Sequence, residues 1–283
     1  MSDPTRIVSI SAAPYDGYEF PQVLESLARI GATHVEPAFI VGYTEPFDES
    51  AFTADKARLW AGWLKESGIG CDAFSSHIDL GRADAVEVFR GRMDFARALG
   101  ARVINTNAAA RKWQARFFEN IEVLARHAES IGLTIGLENP GDGSDNLLNT
   151  AADGHALLER IGHACVGLNY DAGNTISHRP DVPTVQDALE ALPLCIHTHI
   201  KDVRVAEGYF FTPLGEGQVG CEPILHAVAA VPLNLSIEIP MRLHRKANAQ
   251  PSRAPYRVAI GDIEGTLSRA LAFVREHLQA VAA

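Results

Sequence analysis

The sequence predicts an α/β fold, a single (β/α)8 TIM barrel, and three observations carry that reading. Short β-rich runs alternate with longer stretches of helical periodicity, there are eight such pairs, and the repeat is about 30 residues, which is the arithmetic of that barrel. The chain has 283 residues, of which 47% are hydrophobic, enough to bury one large core. No Pro/Gly/Ser-rich linker and no low-complexity stretch interrupts it, so one domain over residues 1–283 is expected. An open doubly wound sheet is the rival fold. It would carry a glycine-rich turn after its first strand, where this chain reads SISAAPYDGY.

The expected strands are IVSIS (7–11), HVEPAF (34–39), CDAFSSH (71–77), RVINTN (102–107), LTIGLEN (133–139), CVGLNYD (165–171), CIHTHIKD (195–202) and NLSIEIP (234–240). Helices are expected between them. In the third, Val86, Phe89, Met93, Ala96 and Leu99 recur three or four apart. In the fourth, Trp113, Phe117, Ile121, Leu124, Ala128 and Ile131 do the same, which gives Trp113 a core-packing role. Several helices run into a glycine, as in ARIGA, KESGI, ARALGA and ESIGL, which suits a left-handed C-terminal cap.

Charge narrows the partners. Asp and Glu outnumber Lys and Arg 35 to 25, for a formal net charge of −10, and such a surface disfavours a nucleic-acid partner, whose binding is driven by Lys and Arg releasing counterions. No apolar run is long enough to span a bilayer, and the start, MSDPTRIVSI, lacks the pattern of a signal peptide. Cys71, Cys165, Cys195 and Cys221 are scattered without a CxxC pair, as expected of reduced thiols in a cytoplasmic protein.

Alternation within the last four strands is the functional signal. In a barrel, alternate residues face the interior and the helices. LTIGLEN sets Ile135 and Leu137 against Gly136 and Glu138, CVGLNYD sets Val166, Leu168 and Tyr170 against Gly167, Asn169 and Asp171, and NLSIEIP sets Leu235, Ile237 and Ile239 against Ser236 and Glu238. CIHTHIKD sets Ile196 and Ile200 against His197, His199 and Lys201. Four strand ends thus converge with Glu138, Asp171, His199 and Glu238. Singly, each reads as a solvated carboxylate or a satisfied core histidine. Together, three buried carboxylates repel one another unless a cation joins them, and a divalent metal turns the cluster into a ligand set. His197, two residues deeper, is expected to pack behind the ligands, and Glu36 to pair with Lys201.

With those residues in place, the sequence resembles the xylose-isomerase-like TIM-barrel superfamily, in its sugar phosphate isomerase/epimerase branch. The matching pieces are LGARVIN (99–105), GLEN (136–139), YDAGN (170–174), HIKD (199–202), PLGEGQVG (213–220) and SIE (236–238), in family order across about two thirds of the chain. The resemblance implies one divalent metal on Glu138, Asp171, His199 and Glu238, the quartet that alternation selects. An oxygen-rich set with one imidazole suits Mn2+, Mg2+ or Co2+ better than structural zinc. The expected chemistry is proton abstraction beside a carbonyl through a metal-stabilised enediolate, with Glu138 and Glu238 as general base and acid on a keto-sugar or sugar phosphate. Loss of a leaving group from the same intermediate, as in lyases and dehydratases of the superfamily, is the alternative outcome. The chain departs from the pattern at Asn174, where many epimerases hold substrate with a histidine, and at the tight Asn139-Pro140-Gly141-Asp142 loop.

Candidate substrate contacts are Arg204, His77, Asn105 and Asn174, with Asn107 beside Asn105 on the same strand end. Each has an ordinary alternative as a cap or a solvated charge. PLGEGQVG lacks the context of a phosphate loop and reads as a turn shaping the mouth. The stretch 241–257 gathers Arg242, Arg245, Lys246, Arg253 and Arg257 as a lid, an anion clamp or a contact in a homo-oligomer. An abasic-site nuclease of the superfamily would want more histidines and a basic face. A non-catalytic sugar-binding module would not need two opposed glutamates.

Overall fold

The structure, a computed structural model, describes residues 6–39, 48–246 and 252–279. Its strands are β1 (Val8–Ser11), β2 (His34–Glu36), β3 (Ala73–Ser75), β4 (Val103–Asn107), β5 (Thr134–Glu138), β6 (Val166–Asp171), β7 (Cys195–Ile200), β8 (Asp202–Val205), β9 (Gly208–Thr212), β10 (Leu235–Ile237), β11 (Leu243–Lys246) and β12 (Ser252–Arg253). The helices are α1 (Phe20–Arg29), α2 (Ala54–Ser67), α3 (Ala85–Ala98), α4 (Gln114–Ile131), α5 (Ala151–Ile161), α6 (Ala172–His178), α7 (Thr184–Ala191), α8 (Cys221–Ala229) and α9 (Ile260–Gln279).

Eight parallel strands pair in the order β2-β1-β10-β7-β6-β5-β4-β3. The ends of that sheet meet: Val35 N–H donates to Gly70 O, Ser75 N–H to Pro37 O and Phe39 N–H to Ser75 O, each at 2.9 Å. The sheet is therefore a closed barrel, the (β/α)8 arrangement that the repeat predicts. Its outward residues, among them Ile135, Leu137, Leu168, Leu235 and Ile237, are fully buried under the helices. Each such side chain contributes about 1.5–3 kcal/mol through burial.

Local chemistry places the helices. Thr53 caps α2 by accepting from Lys56 N–H, and Gly68 ends it with φ 68°. Gly132 ends α4 in the same left-handed conformation, φ 67°, where a side chain would be strained. Trp113 departs from the expected stripe. It lies in a 3-10 turn before α4, 39% exposed, with Lys112 and Arg116 over its ring.

Two features were not anticipated. The β6–β7 register shifts between Leu168 and Asn169. At that bulge Ile196 turns against Gly167, where an added Cβ would meet its Cγ2 at 2.6 Å, rather than facing outward with Ile200. The second feature is a four-stranded sheet of order β12-β11-β9-β8, antiparallel, which roofs the C-terminal end of the barrel. Among the described residues no helix is long and apolar enough to cross a membrane.

Candidate metal centre

Register brings the four strand ends together. Asp171 lies opposite His199 across β6–β7, and Ser236 lies opposite His199 across β10–β7. Glu138 closes β5, and Glu238 follows β10 with its N–H bonded to Ile200 O at 3.0 Å. His199 Nδ1 is 3.4 Å from Glu138 Oε2, 3.6 Å from Glu238 Oε2 and 3.7 Å from Asp171 Oδ2. One ligand atom from each of the four falls within 4.8 Å of the others, and all four residues are buried. These are the residues that strand alternation singles out.

The donor set fits a dication. His199 Nε2 lies 3.0 Å from Glu36 Oε1, while buried Nδ1 makes no hydrogen bond. The hydrogen-bond network thus assigns the ring proton to Nε2 and turns the Nδ1 lone pair toward three carboxylate oxygens. Only a proton or a cation reconciles that arrangement. Without a metal it is a proton: burial opposes the charge, yet Glu36, Glu138 and Glu238 together hold the His199 pKa well above its ordinary value. The carboxylates shift the other way. Burial works against ionising Glu138, but His199 and His77 hold its pKa well below the usual range. Burial likewise opposes Glu238, and Lys201 with His199 brings it to about 2.

Lys201 corrects one expectation. Its Nζ pairs with Glu238 Oε2 at 2.5 Å and Asp171 Oδ2 at 2.7 Å, not with Glu36. Burial disfavours the ammonium, but Asp171, Glu238 and Glu138 raise its pKa. Gly173 makes room for the stem, since a Cβ there would stand 2.4 Å from Lys201 Cγ. Glu36 instead lies in the barrel interior, accepting from Ser75 Oγ at 2.5 Å and Asn105 Nδ2 at 2.9 Å, with His197 Nε2 at 3.1 Å. His197 therefore sits behind the quartet, as expected.

The candidate substrate contacts divide. His77 Nε2 lies 3.1 Å from Glu138 Oε2, Asn174 Nδ2 donates to Glu138 Oε1 at 2.9 Å, and both residues line the cavity. Asn169, which alternation places on the inward face with Asp171 but does not mark as a site residue, donates to Glu138 Oε2 at 2.7 Å. Asn107 lines the cavity, but fully buried Asn105 does not; its side chain is held on Glu36. Arg204 is exposed on β8, over the Phe210 ring, and does not line the cavity either. A strand-end position cannot say how deep a short side chain sits or which way a hairpin carries a long one.

Above the quartet opens a cavity of about 770 Å³. Glu138, Glu238 and Lys201 face it from the quartet's side, with Tyr15, Phe39 and Trp60 on one flank and Tyr209 and Phe211 on the roof. The basic stretch is mostly fastening. Arg242 donates to Ala254 O at 2.8 Å and pairs with Asp16 Oδ2 at 3.2 Å, Arg253 reaches Asp16 Oδ2 at 3.5 Å, and Arg257 donates to Gly17 O at 2.9 Å. Arg245 Nη1 donates to Ser177 Oγ at 3.1 Å and lines the cavity. Lys246 ends β11, and 247–251 lie outside the described residues. The PLGEGQVG turn does not line the cavity. Asp202 pins it by accepting from the N–H groups of Gly215, Gly217 and Val219 at 3.0, 2.9 and 3.1 Å.

Residues 24–258 match the family model described as xylose isomerase-like TIM barrel. The chain belongs to that family. A comparison with curated proteins gives no match. Among solved structures, this xylose isomerase-like barrel is similar to an L-ribulose 3-epimerase, with TM-score 0.72, 22% identity and coverage of 98% of this chain and 95% of the other. It is also similar to a xylose isomerase-like TIM barrel protein from Mycobacterium smegmatis in complex with magnesium, with TM-score 0.74, 17% identity and full coverage of both chains (100% and 100%). A probable 3-DHS dehydratase from Bacillus anthracis aligns with TM-score 0.70, 14% identity and coverage of 95% and 98%. At these identities the likeness speaks for the fold.

Proposed function

We propose that the protein is a divalent-metal-dependent isomerase or epimerase of a keto-sugar or sugar phosphate, working by proton transfer at the carbon beside a carbonyl. One observation carries the reading: Glu138 and Glu238, from strands separated by β6 and β7, flank His199 Nδ1 at 3.4 and 3.6 Å and both open onto the cavity. A dication held by Glu138, Asp171, His199 and Glu238 would polarise the substrate carbonyl and make the neighbouring C–H acidic.

The chain's own groups then divide the work. Glu138 is held by His77, Asn169 and Asn174, which fix both carboxylate oxygens, while His199 and His77 keep it ionised. Glu238 is held on Oε2 by Lys201. Ionised Glu138 is suited to removing the proton from one face, and Glu238 can return one on the other once it has received a proton, for which the Lys201 ammonium on its Oε2 is the nearest source. The aromatic flank and the β8–β9 roof exclude bulk water from that transfer. Similarity to an L-ribulose 3-epimerase and to a magnesium complex agrees with this chemistry.

Elimination is the second reading, and Lys201 favours it. Its ammonium lines the cavity beside Glu238, where it can protonate a departing hydroxyl, and one similar structure is a probable dehydratase. Incubating the enzyme with Mn2+ and a panel of keto-sugars, free and phosphorylated, in D2O tests the proposal. Deuterium is expected beside the carbonyl, and Glu138→Gln and Glu238→Gln are expected to lower exchange about 10²–10⁴-fold. Undiminished exchange in both variants refutes the assignment, and a dehydrated product decides for elimination.

A further inference from the structure

A second group of ligand-type side chains lies on the outside of the barrel, where α8 packs on α9. Glu222 and His226 stand one helical turn apart on α8, and His277 lies in the last turn of α9. One ligand atom from each falls within 4.8 Å of the others, and none of the three lines the cavity. Ile224, Leu225 and Val228 turn into the core from α8, as do Leu267, Leu271 and Val274 from α9. The cluster therefore occupies the outer edge of the helix pair.

Its spacing and donors are those of a tetrahedral, zinc-type site. His226 Nε2 and His277 Nδ1 are 3.3 Å apart. Two ligands on a tetrahedral ion with bonds of about 2.0–2.1 Å are separated by about 3.3 Å, the edge of that tetrahedron. The Phe273 ring, 4.3 Å from the His277 ring, limits its rotation, and exposed Glu222 supplies an anionic third ligand. Two imidazoles with one carboxylate favour zinc and its late first-row neighbours, whereas the oxygen-rich quartet suits harder dications.

We propose that Glu222, His226 and His277 form a peripheral binding site for a zinc-like dication, with water in the fourth position, that clasps the C-terminal helix to α8. In its absence one ring nitrogen donates to the other. On binding, that proton moves to the donor ring's other nitrogen, so two neutral imidazoles take up the metal without net proton release.

Cobalt tests the site on the full chain, because four-coordinate Co2+ absorbs visible light far more strongly than six-coordinate Co2+. Titration of chelator-treated protein is expected to give an intense visible band that is lost in His226→Ala and His277→Ala and kept in Asp171→Asn and His199→Ala. With the quartet disabled, zinc is expected to raise the unfolding temperature of Asp171→Asn and not that of the double variant Asp171→Asn/His277→Ala. The proposal is overturned if the band is missing from the wild type, survives in His277→Ala or disappears with the quartet variants, or if zinc shifts both melting curves equally. None of these outcomes depends on the catalytic reading.

Discussion

Glu36 Oε1 lies 3.0 Å from His199 Nε2, in the barrel interior and on the far side of the imidazole from the other three carboxylates of the centre. This carboxylate–histidine pair decides which ring nitrogen faces the mouth, and it is locked by Ser75, Asn105 and His197. Glu36→Gln keeps the shape and removes the charge. It is expected to weaken dication binding about 10–100-fold, the usual effect of losing a partner behind a ligand, as measured by calorimetric titration with Mn2+. Unchanged affinity would mean that Glu36 serves the core alone.

Lys201 holds Asp171 and Glu238 apart from each other's charge when no cation is present. Lys201→Met leaves two buried carboxylates without that partner. The metal-free variant is expected to lose about 3–5 kcal/mol of stability, the cost of breaking a buried pair from one side. Added Mn2+ should then raise its unfolding temperature by more than it raises that of the wild type, because the ion takes over the neutralising role. Equal shifts in thermal melts would count against a shared site.

Acid stability of the metal-free protein follows from the same charges. Burial notwithstanding, Lys201 and His199 bring Glu238 from 4.5 to about 2, so the stability it lends is present above pH 4.5 and drains as pH falls through about 2. That is on the order of 3 kcal/mol. His199 has the opposite sign: its pKa is raised, so its contribution is full below pH 6.5 and fades as pH climbs through the higher folded value. Urea unfolding of Glu238→Gln should therefore show a flatter pH dependence between pH 4.5 and 2 than the wild type. An identical acid slope would remove Glu238 as its source.

The roof rests on Asp16, which Arg242 and Arg253 both reach. Arg242 is buried, and Arg242→Ala strips Asp16 and Ala254 O of a charged donor at once. A loss of about 1–3 kcal/mol is expected, together with faster proteolysis within β11 and β12 than within the barrel strands. Cleavage of both regions at the same rate would show that the roof is not a separate unit.

Much of this site could be read along the chain because barrel strands alternate strictly, so a charged residue in phase with glycines, as Glu138 is with Gly136, marks the inner face. Depth and cross-barrel distance carry no such signature. Asn105 and Asn107 share one face of one strand, yet only Asn107 reaches the cavity, and Glu36 met two histidines more than 160 positions away. The bulge that turns Ile196 against Gly167 breaks the alternation at one residue. The β8–β9 hairpin has a local signal, Glu207-Gly208 dividing VRVA from YFFT, but its pairing with β11 is long-range and leaves no mark on the local pattern. Arg204 follows the hairpin outward, beyond the reach of the barrel's alternation.

The central claim is that four strand ends hold one hard dication, and paramagnetic resonance of free and bound Mn2+ measures that directly. The account predicts one equivalent bound tightly to the wild type and release of that ion in Asp171→Asn and His199→Ala. Wild-type protein that leaves all the Mn2+ free in solution, or variants that retain the full equivalent, would contradict it.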